Sequence, residues 1–284
     1  MEVVRAKRAG FCMGVDLALR KLNKVLDDPP PSGAIYNLGA IIHNPQVVSE
    51  YAARGVITVD SPAEIPAGAS VVIRAHGVPR EVQEELKGGG VCVVDGTCPK
   101  VQEACRLIDM KTQGGRKLLL YGEAVHPEVK CLLSYAAAGA TVFDSLEKCE
   151  ELELDSDREY CLAAQTTQDK EIFETIVESF KRRKAYNITL LETICDATKR
   201  RQEEAIRIAG EVDYVVVVGG YASSNTKRLA QVVVAHGTKA VHVETADELP
   251  LDELKQCSKI GLTAGASTPK NIVDEIHHVL ENLP

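Results

Sequence analysis

Short β-branched and aliphatic runs alternate along this chain with longer amphipathic stretches, and the alternation comes in three similar rounds. The first run of each round covers residues 3–6, 91–95 and 190–192. A small-residue turn follows, then an amphipathic stretch over 15–26, 101–108 and 198–208. These stretches space their apolar residues as one face of a helix requires. A second run lies at 34–38, 117–121 and 214–218, a third at 56–59, 140–143 and 240–243, and a fourth begins at Val71, Cys161 and Ile260. A helix closes each round. The clearest has Ser267 or Thr268 as its expected cap and Pro269 near its start. Ile272, Val273, Ile276, Val279 and Leu280 then share one face.

Strands alternating with helices predict an α/β fold with mostly parallel sheets. The repetition predicts three pseudo-equivalent small α/β domains, at 1–96, 97–192 and 193–284. A trefoil arrangement about a pseudo-threefold axis would gather their strand ends around one cavity. Ligands of open parallel sheets sit beyond the carboxyl ends of the strands. The charged stretch 150–159 reads as a solvated connector.

Composition narrows the function classes. The chain has 284 residues, 45% of them hydrophobic and 26% charged, enough for two or three cores. Its net charge of −8 and lack of tryptophan argue against nucleic-acid binding, which needs a basic face and stacking platforms. No apolar run approaches the roughly 18 residues of a membrane span. The first residues read as a strand rather than a signal peptide, so a cytoplasmic location is expected. Nine cysteines in that reducing setting are not expected to form disulfides. No Cys-x-x-Cys occurs, which argues against zinc ribbons and thioredoxin-like sites.

Three of the nine, Cys12, Cys98 and Cys195, follow the first run and its turn in each round. Any one alone would read as a core cysteine. Three at equivalent points, each before a helix, read as ligands of an iron–sulfur cluster with one position left open. The other six are mostly core candidates. Polar turns close the second and fourth runs. They bring His43, His76, Ser223, Asn225 and Ser267, neutral or cationic donors suited to a phosphate or diphosphate. There is no P-loop, which argues against an NTPase. Glu128, beside His126 and Pro127, is a candidate proton source, with Thr166 as its relay.

Taken in order, Gly10-Phe11-Cys12-Met13-Gly14-Val15, Ala75-His76-Gly77-Val78, Asp95-Gly96-Thr97-Cys98-Pro99, His126-Pro127-Glu128-Val129, Gln165-Thr166-Thr167, Ser223-Ser224-Asn225 and Thr263-Ala264-Gly265-Ala266-Ser267 resemble the segments of the 4-hydroxy-3-methylbut-2-enyl diphosphate reductase (LytB/IspH) family. The resemblance runs from about Val3 to the last helix. It departs from the family pattern at Glu123, where a histidine is usual, and at Gly219–Ala222, which is less polar.

The resemblance implies a trefoil around a central 4Fe–4S cluster held by Cys12, Cys98 and Cys195, with one open iron. It implies reductive loss of water from an allylic alcohol diphosphate, the last step of the non-mevalonate (MEP) isoprenoid pathway. His43, His76, Ser223, Ser224, Asn225 and Ser267 would surround the diphosphate. His126, Glu128 and Thr166 would lie by the hydroxyl end. A ferredoxin or flavodoxin-type protein would supply electrons. Two other readings of the residues stand beside it: an iron–sulfur dehydratase acting on another diphosphate, and a non-enzymatic iron–sulfur redox protein.

Overall fold

The computed structural model describes residues 1–29, 33–183 and 186–283. The first third of the chain forms β1 (Glu2–Arg5), α1 (Met13–Asp27), β2 (Ile35–Leu38), α2 (Pro45–Ala53), β3 (Val56–Val59), β4 (Ser70–Ile73), α3 (Arg80–Gly88) and β5 (Cys92–Asp95). The second forms α4 (Pro99–Thr112), β6 (Lys117–Tyr121), α5 (Pro127–Leu133), β7 (Ala140–Phe143), α6 (Leu146–Glu150), β8 (Glu159–Ala164), α7 (Lys170–Arg182) and β9 (Asn187–Leu190). The last forms α8 (Asp196–Ala209), β10 (Tyr214–Val218), α9 (Ser224–Ala235), β11 (Lys239–Val243), α10 (Leu251–Leu254), β12 (Lys259–Ala264) and α11 (Lys270–Glu281).

The strands make three four-stranded sheets, ordered β3-β2-β4-β5, β7-β6-β8-β9 and β1-β12-β10-β11. Every pairing is parallel. The fold is therefore three small α/β layers, each crossover carried by a helix or loop as parallel pairing requires. The first apolar run of the chain does not stay with its own round. β1 pairs with β12, setting Glu2 opposite Lys259 and Arg5 opposite Leu262.

The chain divides into two compact units. One comprises Met1–Asp16, Ile42–Tyr51 and Asp196–Pro284. It holds the sheet β1-β12-β10-β11. All five residues of β10 are buried. Val216 and Val218 pack with Ile260, Leu262 and Ile276 on one face. Val215 and Val217 pack with Ala205, Leu229 and Val233 on the other. Alternate side chains of a strand point to opposite faces, so an unbroken valine run suits a strand covered on both sides.

The other unit comprises Leu17–Ile41 and Ala52–Cys195 and holds the remaining two sheets. Its central strand β6 divides in the same way. Leu118 and Leu120 meet Val101, Ile108 and Leu132, while Leu119 and Tyr121 meet Phe173, Ile176 and Phe180.

Several expectations change in detail. The first run of the third round lies earlier, at Asn187–Leu190. α11 is not capped by Ser267 or Thr268. Its N-cap is Pro269, and Thr268 Oγ1 instead donates to the Val218 carbonyl at 2.9 Å. The five apolar residues of α11 do line one side, four of them buried and Val279 half-buried against the same core. The stretch 150–159 is largely exposed, although Leu152 and Leu154 lean on the core. Among the six other cysteines, Cys105, Cys131, Cys149 and Cys161 are buried, Cys92 is exposed and Cys257 half-buried.

Candidate functional site

Sheet register aligns the rounds without reference to sequence similarity. Leu38 pairs with Ile73, Tyr121 with Ala164 and Val218 with Ala264. Five residues beyond the first member of each pair stand His43, His126 and Ser223. Three residues beyond the second stand His76, Thr167 and Ser267. Equivalent strand ends thus present equivalent polar turns. The register partner in the second round is Thr167, next to Thr166.

The cysteines obey the same register. The Cys12 N–H donates to the Ala266 carbonyl at 3.1 Å, Cys98 to Ala75 at 2.9 Å and Cys195 to Thr166 at 3.1 Å. Ala75, Thr166 and Ala266 each lie two residues past the aligned strand positions 73, 164 and 264. Each cysteine is half-buried and directly precedes a helix, α1, α4 or α8. None of the nine cysteines is in a disulfide. Three thiols with matched backbone anchoring and partial exposure suit a soft metal centre, and buried structural cysteines would not need that exposure.

In the first unit, the donors gather around Ser267. Its hydroxyl donates to the His43 carbonyl and to Ser223 Oγ, both at 3.3 Å. Ser223 caps α9, accepting from Thr226 N at 3.4 Å. Ser224 and Asn225 fill the first turn of that helix, both buried. The Asn225 Nδ2 donor is buried with no hydrogen-bond partner in the protein. A buried donor left without a protein acceptor costs stability, and this amide can donate to a ligand. Asn44 caps α2 by accepting from Val47 N at 3.0 Å, which fixes the backbone beside His43. The Gly219-Gly220 pair brings the chain close. A Cβ on Gly220 would lie 2.5 Å from the His43 carbonyl, and one on Gly219, at φ +147°, would strike the Thr268 hydroxyl. At Gly220 a side chain would therefore crowd the backbone of His43.

In the second unit, Glu128 and Thr166 meet across 38 residues of sequence. Glu128 Oε1 accepts from Thr166 N at 2.6 Å. Only 2% of Glu128 is exposed, and burial pushes its carboxyl up to about 7, against the downward pull of its hydrogen bonds to Thr166. His126 caps α5, its Nδ1 accepting from Glu128 N at 3.1 Å. The His76 and His126 rings meet edge to face, 5.3 Å between centroids. Thr166 joins two parts of the arrangement: its N–H reaches Glu128 and its carbonyl receives the Cys195 N–H. Glu123, which departs from the family pattern, donates its backbone N–H to Gln165 Oε1 at 3.1 Å. Gln165 is fully buried and props this turn from beneath.

Two buried groups had no motif to announce them. The Thr193 hydroxyl spans the Ala164 N–H and carbonyl at 2.8 and 2.6 Å, tying the Cys195 turn to β8. Arg201 on α8 is 4% exposed and bonds to backbone carbonyls around the Cys12 turn. Neither carries a sequence signal, because their partners lie 29 to 193 residues away.

Fold and turns together define an α/β protein whose parallel sheets present a cysteine and two polar turns in each of three rounds. Residues 3–281 match the family model described as LytB protein. The chain belongs to the LytB family. It is 54% identical over the full length of both chains to a 4-hydroxy-3-methylbut-2-enyl diphosphate reductase of Oleidesulfovibrio alaskensis, and 38% identical over full length to that of Clostridioides difficile. Its backbone resembles the solved Plasmodium falciparum E-1-hydroxy-2-methyl-but-2-enyl-4-diphosphate reductase with a TM-score of 0.93 at 26% identity, covering all of this chain and 89% of that one. A second solved reductase, described as the terminal enzyme of the non-mevalonate pathway, matches at 34% identity and TM-score 0.68 over 99% of both chains. No helix among the described residues is long and apolar enough to cross a membrane.

Proposed function

We propose that this chain reduces (E)-4-hydroxy-3-methylbut-2-enyl diphosphate to isopentenyl and dimethylallyl diphosphate, consuming two electrons and two protons and releasing water. Family membership and full-length relatives bearing that name support the reading. The observation that carries the chemistry is Glu128, a buried carboxyl that accepts a hydrogen bond from Thr166 N and is pushed up to about 7 by burial.

Cys12, Cys98 and Cys195 hold a 4Fe–4S cluster in this reading, and their matched turns fit it. When bound, the cluster would supply the two electrons and Lewis-acid chemistry. Ser223, Ser224, Asn225 and Ser267, with His43 and His76, bind the diphosphate. The N-terminus of α9 and the unsatisfied Asn225 amide favour an anion there. Glu128 holds the proton that turns the departing hydroxide into water, and Thr166 and His126 orient it. Protonation at either end of the remaining allylic anion then yields the two products. The three rounds 1–96, 97–192 and 193–284 each contribute one cysteine. A ferredoxin or flavodoxin-type protein of the cytoplasm delivers the electrons.

The test is anaerobic turnover of the iron- and sulfide-reconstituted protein with a chemical reductant. Both five-carbon diphosphates should form only with cluster and reductant present. Conversion without reductant would favour a dehydratase, and no conversion with an intact cluster would favour a redox carrier.

A further inference from the structure

The Cys12 turn is gripped by two side chains of α8. Arg201 donates from Nη2 to the Gly10 carbonyl at 2.9 Å and from Nη1 to the Ala264 carbonyl at 3.1 Å and to the Arg8 carbonyl. One turn further along, Glu204 accepts from the backbone N–H groups of Lys7 and Arg8 at 2.9 and 3.0 Å. The loop between β1 and Cys12 therefore has donors satisfied by a carboxylate and acceptors satisfied by a guanidinium, both from one helix. Residues three apart on a helix share a face, so the pair acts as a single clamp. Burying a guanidinium is costly unless its hydrogen bonds are made; here they go to the Arg8 and Gly10 carbonyls of the turn carrying Cys12 and to Ala264 at the end of β12.

The feature recurs at a second cysteine. Lys21 on α1 donates to the Asp95 carbonyl at 2.5 Å, three residues before Cys98. Lys21 and Glu204 stand at the same helix position, nine residues after a cysteine (12 to 21, 195 to 204). Two helices that start after one cysteine thus brace the turn leading into another. The chemistry differs, cation to carbonyl in one and carboxylate to N–H in the other, while the placement is the same.

We propose that Arg201 and Glu204 are positioning residues for Cys12, setting its thiolate for the cluster. The inference rests on the reading of Cys12 as a cluster ligand. Residues that orient metal ligands typically change metal affinity by about 10- to 100-fold when lost.

Anaerobically reconstituted wild type, Arg201→Gln, Arg201→Lys, Glu204→Gln, Cys12→Ala and Val216→Ala would be compared for the rate of iron loss to a chelator at 20 °C. Thermal midpoints would be measured alongside. Arg201→Gln should lose iron about tenfold faster or more, Glu204→Gln less so, and Arg201→Lys should recover part of the difference. Val216→Ala thins the core of the same sheet and controls for plain destabilisation, so its rate should stay near wild type. Wild-type rates in Arg201→Gln and Glu204→Gln, or equal acceleration in Val216→Ala, would overturn the proposal. If Arg201→Gln does not fold, Glu204→Gln, which keeps shape and removes charge at a half-buried site, decides it. Cys12→Ala separates the two readings. If it retains iron like wild type, the ligand assignment fails; if it alone loses iron, only the clamp fails.

Discussion

The polar turns of the two units differ in kind. Around Ser267, the groups are hydroxyls, an amide and a backbone carbonyl, with no carboxylate among them. Around Thr166, the central group is a carboxyl buried to 2% exposure and raised to about 7. The hydroxyls and the amide of one setting do not ionise near neutral pH, which suits holding an anion. The other holds an ionisable group poised between its two states, which suits moving a proton. The two come from the same strand-end register, so equivalent backbone positions have been given different chemistry. The difference predicts that changes near Glu128 act on turnover and changes near Ser267 act on binding.

The largest expected effect is at Glu128. Glu128→Gln keeps the shape and the acceptor for Thr166 N–H but removes the proton. Turnover should fall by about 10²- to 10⁴-fold with substrate binding retained. Unchanged kcat would remove the contrast between the units.

Asn225→Ala should do the opposite. Losing a buried donor to a charged ligand costs about 1.5–3 kcal/mol, so KM should rise roughly tenfold or more with kcat nearly preserved. A fall in kcat with KM unchanged would break the comparison from the other side.

The smallest effect sharpens it. Glu128 donates only when protonated, and its folded value of about 7 lies above the ordinary 4.5. Activity should therefore fall as pH rises through 7, halving near that value, and Glu128→Gln should lose this limb. The same shift means that the native state binds a proton the unfolded chain has released between about 4.5 and 7, so Glu128 lowers stability progressively as pH rises across that window. Denaturation midpoints of wild type and Glu128→Gln at pH 5 and 8 would read the difference; parallel midpoints at both would contradict the raised value.

Much of this was legible in the chain because the signals are local. β10 announces itself as a continuous apolar run, and its polar turn falls at a fixed offset from it. α1, α4 and α8 each extend one to four residues beyond the predicted stretches at either end, since capping and terminal turns carry weaker patterns than the apolar face. Ser267 shows where local reading stops. In sequence it reads as a helix cap, yet its hydroxyl is turned to His43 and Ser223, partners 224 and 44 residues away.

The amino-acid sequence alone determined the alternation of strand and helix, its threefold repetition and the residue types at each strand end. Those depend on side-chain periodicity and on turn chemistry within a few residues. Tertiary structure decided which sheet β1 joins, that Glu128 meets Thr166, and that Arg201 reaches the Cys12 turn. These depend on burial and on backbone groups brought together from distant parts of the chain. A carbonyl or an N–H carries no signature of its partner in sequence, so only the fold could assign them.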